Sequence, residues 1–452
     1  MLVFAPMSPR KRGKPAYIAI SLLITMLYAS CATGRPADLR AAELRPAARG
    51  GSLAEDFRAY YARAGILPRD AYSLRPYFTT EEWGRRAVEF LGQAEDYILI
   101  SSFLINSHPV NEDIFATLEK KARKGVRVYI MFDSSTYHTY MPDKKTFRPA
   151  PLAAFPEGLV NIAEYNPIQG TKLFALGSLL DRDHRKFWIV DGRRLAFGGM
   201  NLNYYSLAPQ GEMHNIDAFV ELEGEEVLRP MVESFCRTWN DNSPDRVELE
   251  DFEIPAGNKG SPVEGAAEGA AEGVWLFDHE PGRPSSMNVL FDSFFDLARR
   301  EIWMVQAYAF PTAELIAKIR RAAGRGVEVN LVLSTNSFRT VYEDAANYRA
   351  AELMDAGAKI YVFDAPDKSF LHYKLILADG AIAAFGSPNY NFRTQYLSRE
   401  LALVSANPDV GRAAAENLKT LLAHARPMSR EEALGHRTFK NFLGWLSMII
   451  GG

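Results

Sequence analysis

Apolar positions along the chain alternate between short continuous runs and stretches with helical spacing. Residues 97–105 (YILISSFLI) form such a run, as do residues 126–134 (VRVYIMFDS). Between them Ile114, Leu118 and Ala122 fall at helical spacing, behind Asn111 as an N-cap and Glu112 and Asp113 at the positive helix start, with Gly125 as a stop. The same order returns later: EIWMVQAYAF (301–310), a helical TAELIAKIRRAAGRG (312–326), then VEVNLVLST (327–335). Unbroken apolar runs are the mark of strands buried on both faces. Each half therefore predicts a strand–helix–strand unit with parallel pairing, and the fold class is α/β in two similar halves. Residues 253–273 (EIPAGNKGSPVEGAAEGAAEG) lack apolar periodicity and read as a linker. The first domain is then 69–252 and the second 274–427.

A second repeated pattern lies downstream. The first copy reads HRKFWIVDGRRLAFGGMNLN (184–203) and the second HYKLILADGAIAAFGSPNYN (372–391). Both are H-x-K-x4-D followed by G-[GS]-x-N, in register at an offset of 188, whereas Gly125 and Gly326 are 201 apart. The first half thus carries 13 extra residues, placed within 140–181 around Tyr165-Asn166-Pro167. Asp-Gly after an apolar run predicts a hairpin turn at Gly192 and Gly380. Alternate residues of a strand share a face, so His184 projects with Lys186 and His372 with Lys374.

Two histidines, each beside a fixed cation, suit the chemistry of a phosphodiester. Lys186, Lys374, Asn201, Asn389 and Ser387 can neutralise and position its oxygens. One histidine can attack phosphorus while the other protonates the leaving alcohol. A neutral attacking imidazole needs a hydrogen bond at its other nitrogen. Asp217 and Glu400 follow their histidines by 33 and 28 residues, each at the start of an apolar run, and are expected to orient the histidine of their own half. Asp191 and Asp379 sit in the Asp-Gly turns, where a turn or salt-bridge role and a catalytic one are both open. The remaining histidines (108, 138, 214, 279, 424, 436) have no repeated partner, and only His214, close to Asp217, is a further candidate for the site. No cofactor is called for, and no Cys/His/carboxylate set has metal-ligand spacing. With 52 Lys+Arg against 55 Asp+Glu, the net charge of −3 argues against a broad nucleic-acid-binding face.

These residues resemble the paired HKD motifs of the phospholipase D superfamily over about residues 69–425. The first copy, with YNPIQ (165–169), RDHRKFWIVDG (182–192), GGMNLN (198–203) and IDAFVELEG (216–224), is similar in pattern to bacterial cardiolipin synthases and related phosphatidyltransferases. The resemblance implies two phospholipase D-like domains around one shared site, a phospholipid substrate at a membrane, a covalent phosphohistidine on the first histidine, and the second histidine as acid. Gly199 stands where the second copy has Ser387, which implies asymmetric phosphate contacts. Two other readings are an exported HKD nuclease and an inert envelope protein with a relict site.

The N-terminus adds a location. Arg10, Lys11, Arg12 and Lys14 precede an uncharged run at 16–29, the layout of an export signal. Its ~14 residues span about 21 Å, short of a ~30 Å bilayer core. Small residues directly before Cys31 resemble a bacterial lipobox, although Tyr28 departs from the pattern; this implies diacylation of Cys31 and an envelope lipoprotein. An ordinary cleaved signal and an uncleaved anchor are the alternatives. Residues 32–68, rich in Ala, Arg and Pro, read as a tether. At the other end, 428–452 forms an amphipathic segment in which Phe439, Phe442, Leu443, Leu446 and Ile450, with Trp445 nearby, make an apolar face for the membrane interface or for the second domain.

Overall fold

The computed structural model describes residues 51–139, 148–167, 180–208, 214–256, 274–337 and 340–451, together with Leu44. The expected signal (1–31), Cys31, most of the linker and residues 168–179 of the first-half insertion lie outside them.

The first half folds as β1 (Ser73–Tyr77), β2 (Tyr97–Ser102), β3 (Arg127–Asp133), β4 (Asn161–Tyr165), β5 (Arg182–Asp183), β6 (Phe187–Val190), β7 (Arg194–Gly198), β8 (Asn215–Ile216) and β9 (Phe219–Glu223). Its seven-stranded sheet has the order β1-β9-β7-β6-β2-β3-β4. The second half supplies β10 (Val274–His279), β11 (Glu301–Gln306), β12 (Glu328–Ser334), β13 (Ala358–Phe363), β14 (Phe370–Leu371), β15 (Lys374–Ala378), β16 (Ile382–Gly386), β17 (Ser398–Ser405) and β18 (Ala425–Pro427). Its order β10-β17-β16-β15-β11-β12-β13 repeats the first, with β18 added at the edge. The apolar runs are the parallel strands: β2 pairs with β3, and β11 with β12. Helices Glu112–Ala122 and Ala313–Ala323 connect them as expected. Thr312 caps the second helix through Leu315 N. Asn111 holds the corresponding cap position without a side-chain cap bond, because its Oδ1 accepts from His108 N at 2.9 Å.

The central strands are largely apolar because each sheet has a core on both faces. On β6, Phe187 and Ile189 enter a cluster shared by the two halves, while Trp188 and Val190 enter a core private to the first. On β15, Leu375 and Leu377 face the shared cluster and Ile376 and Ala378 the private core of the second half. Charge also joins the halves. Arg185, fully buried, donates to Asp183 at 2.8 Å and to Asp278 of β10 at 2.9 Å. Removing one partner of such a buried pair leaves an uncompensated charge.

Both ends of the chain differ from expectation. Residues 53–63, assigned to the tether, form a helix capped by Ser52 and Glu55. Phe57, Tyr60 and Tyr61 are fully buried in the second half's core. Tyr61 packs edge-on to Trp275 and Phe277, and its hydroxyl meets Ser293 Oγ at 2.7 Å. The C-terminal helix Phe439–Gly451 turns a different face inward from the one expected. Gly444 lies so close to helix Thr340–Tyr348 that a Cβ there would stand 2.6 Å from Asp344 Cβ. Met448 is buried and Trp445 stacks on Phe310, whereas Phe439 and Leu443 are 75% and 36% exposed. No helix among the described residues is long and apolar enough to cross a membrane.

A tether could lose an aromatic side chain without consequence. The packed helix could not: Tyr61→Ala is expected to lower folding stability by about 3 to 5 kcal/mol. Equilibrium denaturation measures this, and an unchanged midpoint would restore the tether.

Candidate active site

Two strands of only two residues decide where the histidines lie. β5, just before His184, pairs in parallel with Ser398 and Arg399, just before Glu400. β14, just before His372, pairs with Asn215 and Ile216, just before Asp217. Each half thus hands its histidine strand to the other half's carboxylate strand. His184 N donates to Arg399 O at 3.0 Å, and His372 N to Ile216 O at 2.7 Å. In consequence His184 Nδ1 meets Glu400 Oε2 at 3.1 Å and His372 Nδ1 meets Asp217 Oδ2 at 2.6 Å. The expected pairing within each half is therefore wrong; the carboxylates are the expected ones, exchanged.

With Nδ1–H donated to a carboxylate, the lone pair of each imidazole is left at Nε2. Lys374 Nζ lies 2.8 and 2.9 Å from the two nitrogens of His372, near-equal distances that put the ammonium against the ring, and 3.8 Å from Asp217. Lys186 Nζ donates to the His184 carbonyl and sits 4.8 Å from the centre of the Phe103 ring. Burial comes first in setting the protonation states. It pushes His184 down to about 4, against the pull of Glu400, and His372 down to about 4, with Lys374 adding to the effect. Burial likewise lowers Lys186 to about 7 and Lys374 to about 8. Glu400 is held well below the usual carboxylate range despite its burial, by His184, Lys186 and Ser387. The site residues alone therefore favour neutral imidazoles at neutral pH. An anionic phosphodiester between them would offset the lysines and favour a proton on one ring.

The two halves are not identical around the carboxylates. Ser387 Oγ donates to Glu400 and accepts from Leu401 N, and Thr394 Oγ1 donates to the other oxygen of Glu400 at 2.9 Å. Ser387 thus holds the carboxylate instead of the expected phosphate oxygen. At the matching Gly199 a Cβ would stand 2.3 Å from the Asp217 carboxylate. The shorter Asp and the bare glycine go together, as do Glu and Ser. Asn201 Oδ1 accepts from Leu104 N at 3.2 Å, while Asn389 Oδ1 is buried with no protein partner among the described residues.

Asp191 and Asp379 are not brought to the histidines. They close the hairpins after β6 and β15 with φ of 50° and 54°. Asp191 accepts from the backbone N–H of Glu95, Asp96 and Tyr97 at 2.7 to 2.9 Å. Asp379 does the same for Arg299, Arg300 and Glu301 at 2.8 to 2.9 Å. Each pins the start of a neighbouring parallel strand, which decides between the turn and catalytic readings in favour of the turn. His214 meets Ser369 Oγ at 2.9 Å, beside the β8–β14 crossing. Sequence reasoning missed Thr394 and Phe103. Thr394 follows the second motif by three residues, and its hydroxyl was the available signal. Phe103, whose ring centre is 4.8 Å from that of His184, was hidden within an apolar run.

The fold and the site define a class: a duplicated α/β protein with one composite histidine–lysine site, each half completing the other's. The family model described as cardiolipin synthase, PLD-like domain matches residues 87–239 and 292–422, and the chain belongs to that family. It is 26% identical over 338 residues to a probable cardiolipin synthase of Bacillus subtilis, covering 74% of this chain and 61% of that protein. It is 27% identical over 317 residues to a cardiolipin synthase of Listeria welshimeri, covering 68% and 60%. The chain thus spans about three fifths of the length of these relatives. Phosphatidylserine synthase of Haemophilus influenzae has a similar fold, with a TM-score of 0.63 at 13% identity over 85% of this chain and 96% of that one.

The two kinds of acid should separate experimentally. Asp217→Asn and Glu400→Gln are expected to slow single-turnover chemistry at least tenfold with modest changes in melting temperature. Asp191→Asn and Asp379→Asn are expected to cost about 1 to 3 kcal/mol of stability, with rate per folded molecule near wild type. Rate losses at 217 and 400 that merely follow melting temperature would contradict the assignment.

Proposed function

We propose that this protein is a phosphatidyltransferase or phosphodiesterase of the cardiolipin synthase type, working on phospholipid through a covalent phosphohistidine. The observation that carries this reading is the pair of imidazoles, His372 buried and His184 half-buried, each tied at Nδ1 to a carboxylate so that its lone pair lies at Nε2. His184 Nε2 attacks phosphorus, the bond from phosphorus to the departing alcohol breaks, and His372 gives that alcohol its proton. The roles of nucleophile and acid follow the family resemblance. Lys186, Lys374, Asn201 and Asn389 hold the phosphate oxygens. His372 then takes the proton of an incoming hydroxyl, a new P–O bond forms, and the P–N bond breaks. The relatives named as cardiolipin synthases support a lipid substrate over a nucleic acid.

The same reading places the enzyme on a membrane of the bacterial envelope. Diacylated Cys31 would be a two-chain anchor, and the exposed Phe439 and Leu443 a secondary contact with the membrane. No step of the reaction calls for a metal.

Purified protein on phospholipid vesicles should yield exchanged phosphatidyl products by mass spectrometry, resist EDTA, and leave DNA intact. His184→Ala and His372→Ala should each lose far more than tenfold in rate, a barrier rise above ~1.4 kcal/mol. Retention of a tenth of the wild-type rate by either variant, or DNA cleavage in place of lipid turnover, would refute the proposal.

A further inference from the structure

Each crossing is bracketed by two residues, the one after the histidine and the one before the carboxylate that meets it. At the His372 crossing these are Tyr373 and Ile216; at the His184 crossing they are Arg185 and Arg399. The neutral pair takes separate partners. The Tyr373 hydroxyl donates to the Phe78 carbonyl and accepts from Asn417 Nδ2 at 3.1 Å, while Ile216 packs on the shared apolar cluster. The two arginines instead meet on one hydroxyl. Thr238, in helix Glu225–Asn242, gives its own hydrogen to Ser234 O at 2.7 Å. Its Oγ1 accepts from Arg185 at 3.0 Å and from Arg399 at 3.3 Å. Two guanidinium groups converge on a neutral oxygen only where acids offset their repulsion. Asp183 and Asp278 do so for Arg185, and Glu280 does so for Arg399 at 3.1 Å.

Arg399 also ties the two halves together where the carboxylate strand begins. It is the second residue of β17, a strand of the second half, and Glu280 follows β10 alongside it. Its other partners belong to the first half. Besides Thr238, the Tyr165 hydroxyl accepts from Arg399 Nε at 3.2 Å, and the Tyr165 ring centre lies 5.8 Å from the guanidinium carbon. Tyr165 in turn donates to Asp181 Oδ1 at 2.7 Å, next to the crossing strand β5. Three partners in one plane suit a rigid fork of donors, which an ammonium does not supply. The backbone of the same residue holds the histidine. The Arg399 carbonyl accepts from His184 N at 3.0 Å, and the next residue is Glu400, whose Oε2 meets His184 Nδ1. Side chain, carbonyl and carboxylate lie within two residues, so anchoring the side chain anchors both bonds to His184.

We propose that Arg399 is a positioning residue for His184, holding the His184–Glu400 pair in place through its ties to Tyr165, Thr238 and Glu280. What that position is worth in rate rests on the phosphatidyltransferase reading above. Arg399 touches no reacting atom. By fixing the pair it keeps the His184 Nε2 lone pair aimed at phosphorus, which bears on the chemical step and leaves lipid binding alone. His372 has no such clamp, because Ile216 supplies a carbonyl and no charge. Loss of Arg399 therefore disturbs one histidine of the two.

Two measurements on full-length protein test this: the ring N–H signals in proton–nitrogen NMR spectra of histidine-labelled protein, and turnover on phospholipid vesicles. Arg399→Gln should displace or broaden the His184 signal and leave the His372 signal in place. It should lower kcat at least tenfold with KM changed less than twofold. Arg399→Lys, which keeps the charge for Glu280, should recover part of both. An Arg399→Gln protein in which the two signals stay unmoved, or move together, would give Arg399 a structural role and overturn the proposal. A rise in KM at unchanged kcat would do the same. If Arg399→Gln does not fold, Tyr165→Phe decides, since it removes only the hydroxyl that meets Nε. It should shift the His184 signal alone, by less than Arg399→Lys leaves uncorrected in a folded protein, and an unmoved His184 signal would overturn the proposal. Wild-type protein inert on phospholipid would refute the earlier reading alone, because the two signals still decide whether Arg399 positions His184.

Discussion

The site depends on one exchange of backbone. Two dipeptide strands, Arg182–Asp183 and Phe370–Leu371, cross between the halves and hydrogen-bond to the segments that lead into Glu400 and Asp217. Without the crossing, each histidine would lie beside a lysine with no carboxylate at Nδ1. Neither half has a complete site by itself, which gives a physical reason for the duplicated domain to remain one chain. The shared apolar cluster and the Arg185 network press the halves together across this crossing.

Keeping such a cluster buried is unfavourable unless its charges are matched. Lysines 186 and 374 are almost fully buried two residues from their histidines, and burial alone would strip their protons. Glu400 and Asp217 offset that penalty, and Glu400 is itself held by Ser387 and Thr394. The same carboxylates fix the imidazole tautomers, so one pair of side chains both stabilises the charges and sets the lone pairs at Nε2.

Much of this was legible in the residues. Apolar runs, helical spacing and the Asp-Gly turns marked the strands, helices and hairpins, and repetition at 188 residues marked the histidines, lysines and asparagines. Asp217 and Glu400 were found as orienters because each opens a strand after its motif. Their crossing was not legible: a two-residue strand has no periodicity, and its partner lies 155 or more residues away in the other half. The buried helix at 53–63 was masked by an Ala- and Arg-rich composition. Its signals were present in Ser52 and Glu55 as a capping box and in Phe57, Tyr60 and Tyr61 at helical spacing. At the C-terminus apolar residues occupy more than one face, and Gly444 permits the closest approach, so the inward face followed the glycine.

The exchanged pairing can be read directly from the imidazoles. In proton–nitrogen NMR spectra of protein labelled at histidine, a ring N–H donated to a carboxylate gives a low-field proton. Glu400→Gln should displace that signal for His184 and leave the His372 signal in place, and Asp217→Asn should do the reverse. If Glu400→Gln instead moved the His372 signal, or Asp217→Asn that of His184, each half would orient its own histidine and the crossing would be wrong.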